Sequence, residues 1–200
     1  MLYAALNRGD DGRLPLEVLM PLIPYADPEK MPEDARTMLE RLPRPLNVFR
    51  MWANAGSSFV AGIRHGNAIL SKQKLSALRR ELIILAVGRI EGGIYEFAQH
   101  IPIALAVGCR DDQIAALETA RFTDKAFDEA EKAMLRLVRE VVLDVKARAE
   151  TVEAAKAFFD AQEIVEIIWT TGFYMTIARL TETTGIEVDA VRVPSFEKLR

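Results

Sequence analysis

From Pro32 to Gly185 apolar residues return every three or four positions, the spacing of helices that each bury one face. Pro32-Glu33-Asp34 suits a first turn, because proline needs no amide partner there and the acids face the positive helix end. That helix is expected to stop before Pro43. Shorter helices are predicted over 46–55 and 57–70. The segment 76–89 is different: Leu78, Leu82, Ile83, Ile84, Leu85 and Val87 leave little polar surface, as in a helix at the centre of a bundle or in a subunit interface. Gly92-Gly93 ends it, and a helix over 94–107 follows, closed by Gly108. Further helices are predicted over 111–119, 125–145, 152–160 and 161–184, the last ending at Gly185 with Gly172 as a candidate interruption. No alternating pattern pairs into hairpins, and the tail with Val188, Val191 and Val193 reads as extended or as one short strand. The prediction is an all-α fold.

Seven of the nine prolines precede residue 46. Proline fixes φ and removes a donor, so residues 1–30 are expected to form an extended, proline-rich arm and residues 31–200 the helical domain. Leu14, Leu16, Val18, Leu19, Met20, Leu22 and Ile23 make that arm adhesive, either to its own domain or to a neighbouring subunit. Together with the apolar helix ending at Ile90 it offers more greasy surface than one small bundle readily hides, so a homo-oligomer is expected.

Composition narrows the classes. The chain has 200 residues, half of them hydrophobic, and a formal net charge of −3, enough apolar material for one well-buried domain. No clustered basic excess prepares a nucleic-acid footprint. No apolar stretch is long enough to span a bilayer, and the first residues lack a basic region ahead of an apolar one, so no membrane partner or secretory signal is expected. A single cysteine fits a reducing compartment, and a cytoplasmic location is expected.

Candidate chemistry concentrates in the helix after Gly93. At 100° per residue Glu96, Gln99, His100 and Ile103 share one face, while Ile94, Phe97, Ala98, Ile101, Ala104 and Leu105 occupy the others and are expected to be buried. Carboxylate and imidazole are the side chains best suited to move protons near neutral pH. Pro102 lies inside this helix and is expected to kink it just past His100. A carboxylate-rich metal set of Glu81, Glu91, Glu96 and His100 is the weaker alternative, since no Cys/His cluster supports it. His65 reads as a packed or surface histidine. Cys109 follows a helix C-terminus, where the dipole disfavours a thiolate, and reads as structural. No glycine loop of the phosphate-binding kind is present, and no cofactor or metal is expected.

Pro45-Leu46-Asn47-Val48-Phe49-Arg50, Arg80-Glu81-Leu82-Ile83-Ile84-Leu85, Tyr95-Glu96-Phe97-Ala98-Gln99-His100 with Pro102 and Ala104, and later Glu163-Ile164-Val165 with Gly172-Phe173-Tyr174 together resemble the carboxymuconolactone decarboxylase family, which includes the alkylhydroperoxidase D-like proteins. The resemblance implies an all-α bundle with its site on the central helices, and commonly a trimer or a larger assembly of dimers such as a hexamer. Peroxidase members carry a Cys-x-x-Cys before the histidine and a glutamate upstream in a proton relay. Here Gly93 and Glu96 hold the cysteine positions, while His100 and Glu81 hold the others. Decarboxylase-type members carry a Glu-Phe-x-x-His arrangement, which Glu96, Phe97 and His100 reproduce.

These readings combine into a cofactor-free lyase or isomerase acting on a small oxidised organic acid or lactone. His100 is the main acid/base, Glu96 orients it or acts as its partner, and Glu81 completes the relay. Arg80, Arg79 and Arg64 are the candidate cations for an anionic substrate, with nothing in the sequence to choose among them, and Trp52, Tyr95 and Tyr174 are expected to line the pocket. The alternatives are a peroxidase-like protein without the thiol pair and a non-catalytic oligomeric ligand-binding protein.

Overall fold

The computed structural model describes residues 21–190. The described residues form nine α-helices and no strand: α1 (Glu33–Arg41), α2 (Asn47–Trp52), α3 (Ser57–Lys72), α4 (Ala77–Glu91), α5 (Ile94–Ala106), α6 (Asp111–Glu118), α7 (Glu129–Asp144), α8 (Ala149–Lys156) and α9 (Ala161–Thr184). A 3₁₀ turn, Ala53–Ala55, joins α2 to α3.

Helix α4 is the axis of the bundle. Every residue from Arg80 to Gly88 is buried, and Leu82 to Val87 have no exposed surface at all. It packs against α5, α7 and α9 at once, so its apolar circumference is satisfied within its own chain and demands no subunit interface. The Ser76 hydroxyl caps its start by accepting from the Arg79 amide at 3.3 Å. Gly92, at φ +74°, ends it in a left-handed turn that brings α5 back alongside.

Two capping boxes set helix starts, the first correcting a predicted boundary and the second falling on one. Asp128 accepts from the Glu131 amide at 2.7 Å while Glu131 accepts from the Asp128 amide at 3.0 Å, which starts α7 at Glu129 rather than at 125. Asp160 and Glu163 do the same at 2.9 and 3.1 Å and start α9. Helix α8 lies three residues earlier at its start than expected, and Ala157 to Phe159 form the turn into α9. Gly172 does not interrupt α9, and a Cβ there would meet no neighbour, so its backbone freedom is not used.

Helices α1 to α3 form a smaller apolar cluster around Ala35, Phe59, Val60 and Ile63. A third cluster, of Val48, Met51, Tyr95, Ile177 and Ile186, joins α2 to α5, α9 and the segment after α9. That segment has no regular structure up to residue 190 and is held by hydrogen bonds: Asp189 accepts from the Asn47 amide at 2.9 Å, and its carbonyl accepts from Gln99 Nε2 at 2.8 Å. Of the predicted arm, residues 1–20 lie outside the described residues. Residues 21–30 lie on the domain without a helix, with the Leu22 amide donating to the Thr184 carbonyl and the Ala26 amide to the Arg50 carbonyl. No helix among the described residues is long and apolar enough to cross a membrane.

Candidate active site

The polar stripe of α5 faces a cavity of about 550 Å³. Tyr95, Glu96, Gln99, His100 and Ile103 form one wall, joined by Pro102, through which α5 runs without interruption. The opposite wall comes from Val48, Phe49 and Trp52 around α2 and from Ile63 and Asn67 on α3. Phe173, Tyr174 and Ile177 on α9 complete it, and Arg44 stands in the lining loop between α1 and α2. Helix α3 lets large rings come close because Gly62 and Gly66 lack side chains. A Cβ on Gly62 would sit 2.1 Å from the Trp52 ring, and one on Gly66 2.9 Å from the Phe173 ring.

At the polar wall His100 Nδ1 lies 2.7 Å from Glu81 Oε2, and both side chains are largely withdrawn from solvent. A carboxylate at Nδ1 selects the tautomer protonated there and leaves Nε2 as the basic nitrogen. The Tyr174 ring meets the imidazole edge to face, with centroids 5.2 Å apart, and fixes its plane. Glu96, one turn earlier on α5, is 2% exposed and pairs with the Thr181 hydroxyl of α9 at 2.9 and 3.1 Å. Burial raises the Glu96 carboxyl above the ordinary range, against opposing pulls from its own amide, Thr181 and the charge of His100. Burial also raises the Tyr95 and Tyr174 phenols, so both rings stay protonated donors.

The expected partnership is therefore reversed. Glu81, not Glu96, holds His100, because α5 lies against both α4 and α9 and the two polar residues contact different neighbours. Trp52, Tyr95 and Tyr174 line the cavity as expected. Arg80 does not. Successive helical residues point about 100° apart, so with Glu81 turned to α5, Arg80 points elsewhere. It is buried, its Nη1 donates to the Leu75 carbonyl at 3.4 Å, and its Nε has no partner. The cation that lines the cavity is Arg44, missed because it sits between two prolines in a loop without periodic pattern.

Asp189 and Thr181 were also missed. Asp189 accepts from the Tyr95 hydroxyl at 2.5 Å and so anchors that ring from a tail with no helical signal. Thr181 lies on a helix whose hydroxyl residues are indistinguishable in sequence. The remaining α5 faces are less covered than expected: Ala104 is buried, but Ile94 and Leu105 are 48% and 44% exposed and Phe97, Ala98 and Ile101 are half-buried. They line a second, shallower groove of about 660 Å³ on the far side of the helix. His65 is half-buried, packs on Phe173 at 5.0 Å and accepts from the Trp169 indole N–H. Glu91 is turned outward into a bidentate pair with Arg179 at 2.8 and 2.9 Å, and no three metal-ligating side chains converge among the described residues. Cys109 is buried, with its Sγ 3.7 Å from the Leu78 carbonyl, and burial pushes its thiol up to about 12.

Residues 61–140, which span most of α3 through most of α7 and include Glu81, Glu96 and His100, match the model of the carboxymuconolactone decarboxylase family. The segment that builds the polar wall of the cavity is therefore similar to that family. No curated protein matches it at the sequence level. Among solved structures, the alkylhydroperoxidase AhpD core of an uncharacterized peroxidase-related protein from Ralstonia eutropha JMP134 is similar, with a TM-score of 0.72 and 19% identity over 85% of this chain and 93% of that one. An uncharacterized peroxidase-related protein from Silicibacter sp. TM1040 gives a TM-score of 0.71 at 20% identity, over 85% and 92% of the two chains. The debrominase Bmp8 in complex with 2,3,4-tribromopyrrole gives 0.65 at 16% identity, over 88% and 94%. At these identities the likeness is one of fold: the chain has the AhpD-like helical architecture.

Proposed function

We propose that the protein is a cofactor-free acid/base enzyme of the decarboxylase or isomerase kind, acting on a small oxidised organic acid or lactone bound in the α5 cavity. The observation that carries the reading is the 2.7 Å Glu81–His100 pair, whose imidazole lines a mostly apolar cavity one turn from a buried carboxyl. Glu81 holds the Nδ1–H, so Nε2 takes a proton from the substrate acid or from carbon beside its carbonyl. As the C–H bond breaks, or as the C–C bond to a departing CO2 breaks, the electron pair moves onto the carbonyl oxygen. Glu96, whose protonated form burial favours, would turn its proton from Thr181 to that oxygen when substrate is bound, and the His100 imidazolium returns the proton to carbon. Arg44 supplies a cation for a substrate carboxylate. Trp52, Phe173 and Tyr174 suit a flat ring, and the debrominase of the same fold holds a flat heterocycle.

Thiol peroxidase chemistry is the less favoured reading. Gly93 and Glu96 replace the thiol pair, and the buried Cys109 stays protonated at neutral pH. Self-association through a second copy belongs to the proposal, with exposed Ile94 and Leu105 beside the α5 groove as the candidate contact. Light scattering at micromolar concentration should find a trimer or hexamer, and a monomer would refute it. The catalytic reading is tested by NMR in D₂O with a panel of β-keto acids, unsaturated lactones and cyclic ketones. Uptake of deuterium at carbon or release of CO2 from at least one member is expected, and an inert protein across the panel contradicts it.

A further inference from the structure

Thr181 has one hydroxyl proton and three acceptors in reach: Glu96 Oε2 at 2.9 Å, Glu96 Oε1 at 3.1 Å and the Ala178 carbonyl of its own helix at 3.1 Å. Both side chains are 2% exposed, so water does not fill the shortfall. Three other hydroxyls of α9 show the ordinary arrangement. Thr171, Thr176 and Thr184 donate to the carbonyl four residues back, at 2.8, 3.1 and 2.7 Å. Thr181 therefore has two complete bonding schemes. With Glu96 ionised, the hydroxyl must donate to the carboxylate, because two lone pairs facing each other in a buried site repel. With Glu96 protonated, the carboxyl donates to the Thr181 oxygen, and the threonine proton turns to Ala178.

We propose that Thr181 is a positioning residue whose hydroxyl proton alternates between the Glu96 carboxyl and the Ala178 carbonyl, so that Glu96 gains and loses a proton in place with every buried polar group satisfied in both states. A side chain buried only for packing needs one such state; one that exchanges protons needs both. The inference rests on the acid/base reading given above, in which protonated Glu96 donates to the developing oxyanion, and it adds how that carboxyl can carry or release its proton. Its test needs no substrate, so the two can fail separately. The groups that also act on Glu96 are His100 and Tyr95 on α5, Glu182 and Tyr174 on α9, and Glu81 on α4 through its pair with His100. None of them is altered in the test.

The experiment is an infrared pH titration of the full chain carrying ¹³C-labelled glutamate, with the Glu96 carboxyl band assigned by its loss in Glu96→Gln. Three proteins are compared: wild type, Thr181→Val, which keeps the shape, and Thr181→Ser, which restores the hydroxyl. In Thr181→Val the protonated carboxyl loses its acceptor, so its C=O band moves to higher frequency. The ionised form loses the stronger, charge-assisted bond, so the titration midpoint rises by about one pH unit. Both readings return to wild type in Thr181→Ser. If Thr181→Val does not fold, Thr181→Ala is read in the same way. An unchanged band and midpoint would overturn the proposal. A midpoint that rises while the protonated band stays put would also overturn it, by showing a fixed donor with no second state.

Discussion

Replacing Glu96 by glutamine removes an ionisable group that burial between α5 and α9 drives towards its neutral form, while keeping the side-chain shape and an oxygen for Thr181 to bond. The consequence for stability has a definite sign. Above the ordinary carboxylate value of 4.5 the unfolded chain has lost the Glu96 proton while the native state, with its raised value, still holds it. The native state thus binds more protons, and wild-type stability falls as pH rises through that window. The variant carries no such group, so its advantage over wild type grows, with a slope approaching about 1.4 kcal/mol per pH unit. It levels off once native Glu96 ionises. Below 4.5 the difference is flat, because Glu96 is neutral in both states. Other titrating groups are common to both proteins and cancel in the difference, apart from the coupling to His100. Urea unfolding at closely spaced pH values between about 4 and 8 measures it directly. Parallel stability curves, or a variant that loses ground as pH rises, would refute the assignment of Glu96 as a destabilised buried acid.

The remaining expectations are shorter. Cys109 should resist alkylation in the native protein at neutral pH and react only on unfolding, and Cys109→Ser should leave turnover unchanged; rapid native labelling with loss of activity would contradict this. Gly62→Ala forces the Trp52 ring out of its seat against α3 and should cost about 1–3 kcal/mol, with a shifted tryptophan emission in a Trp169→Phe background. An unchanged melting curve and spectrum would show that Trp52 is not held as described. Glu140 accepts from the Arg148 amide, the Thr151 hydroxyl and Arg136, bonds that lower its value. Its stabilisation is therefore present above 4.5 and lost as pH falls through the lowered native value, a dependence that Glu140→Gln should abolish in acid unfolding curves.

The sequence made the helices legible because their apolar period, proline and glycine punctuation agree locally. The apolar run of α4 from Leu82 to Val87 identified the bundle axis, and its own chain proved sufficient to cover it. The cavity wall was legible for the same reason: Glu96, Gln99, His100 and Ile103 share a face by helical geometry alone. Pairings between helices were not legible. Whether His100 meets Glu81 or Glu96 depends on how α5 rolls between α4 and α9, a tertiary quantity. Arg80 shows the same limit, since adjacent residues on a fully buried helix point to different neighbours. Arg44 and Asp189 act from segments without periodicity, and their roles follow only from where the chain returns. Residues 14–20 of the proposed arm lie outside the described residues.

The most direct test of the Glu81–His100 relay is the rate of deuterium uptake at carbon, or of decarboxylation, for a compound the wild type turns over, measured at saturating concentration in three proteins. His100→Gln should lose on the order of 10²–10⁴ in rate while remaining folded. Glu81→Gln, which leaves the imidazole without its 2.7 Å partner, should also fall and should alter the pH profile of what activity remains. Near-wild-type rates in the folded His100→Gln protein would contradict the account at its centre.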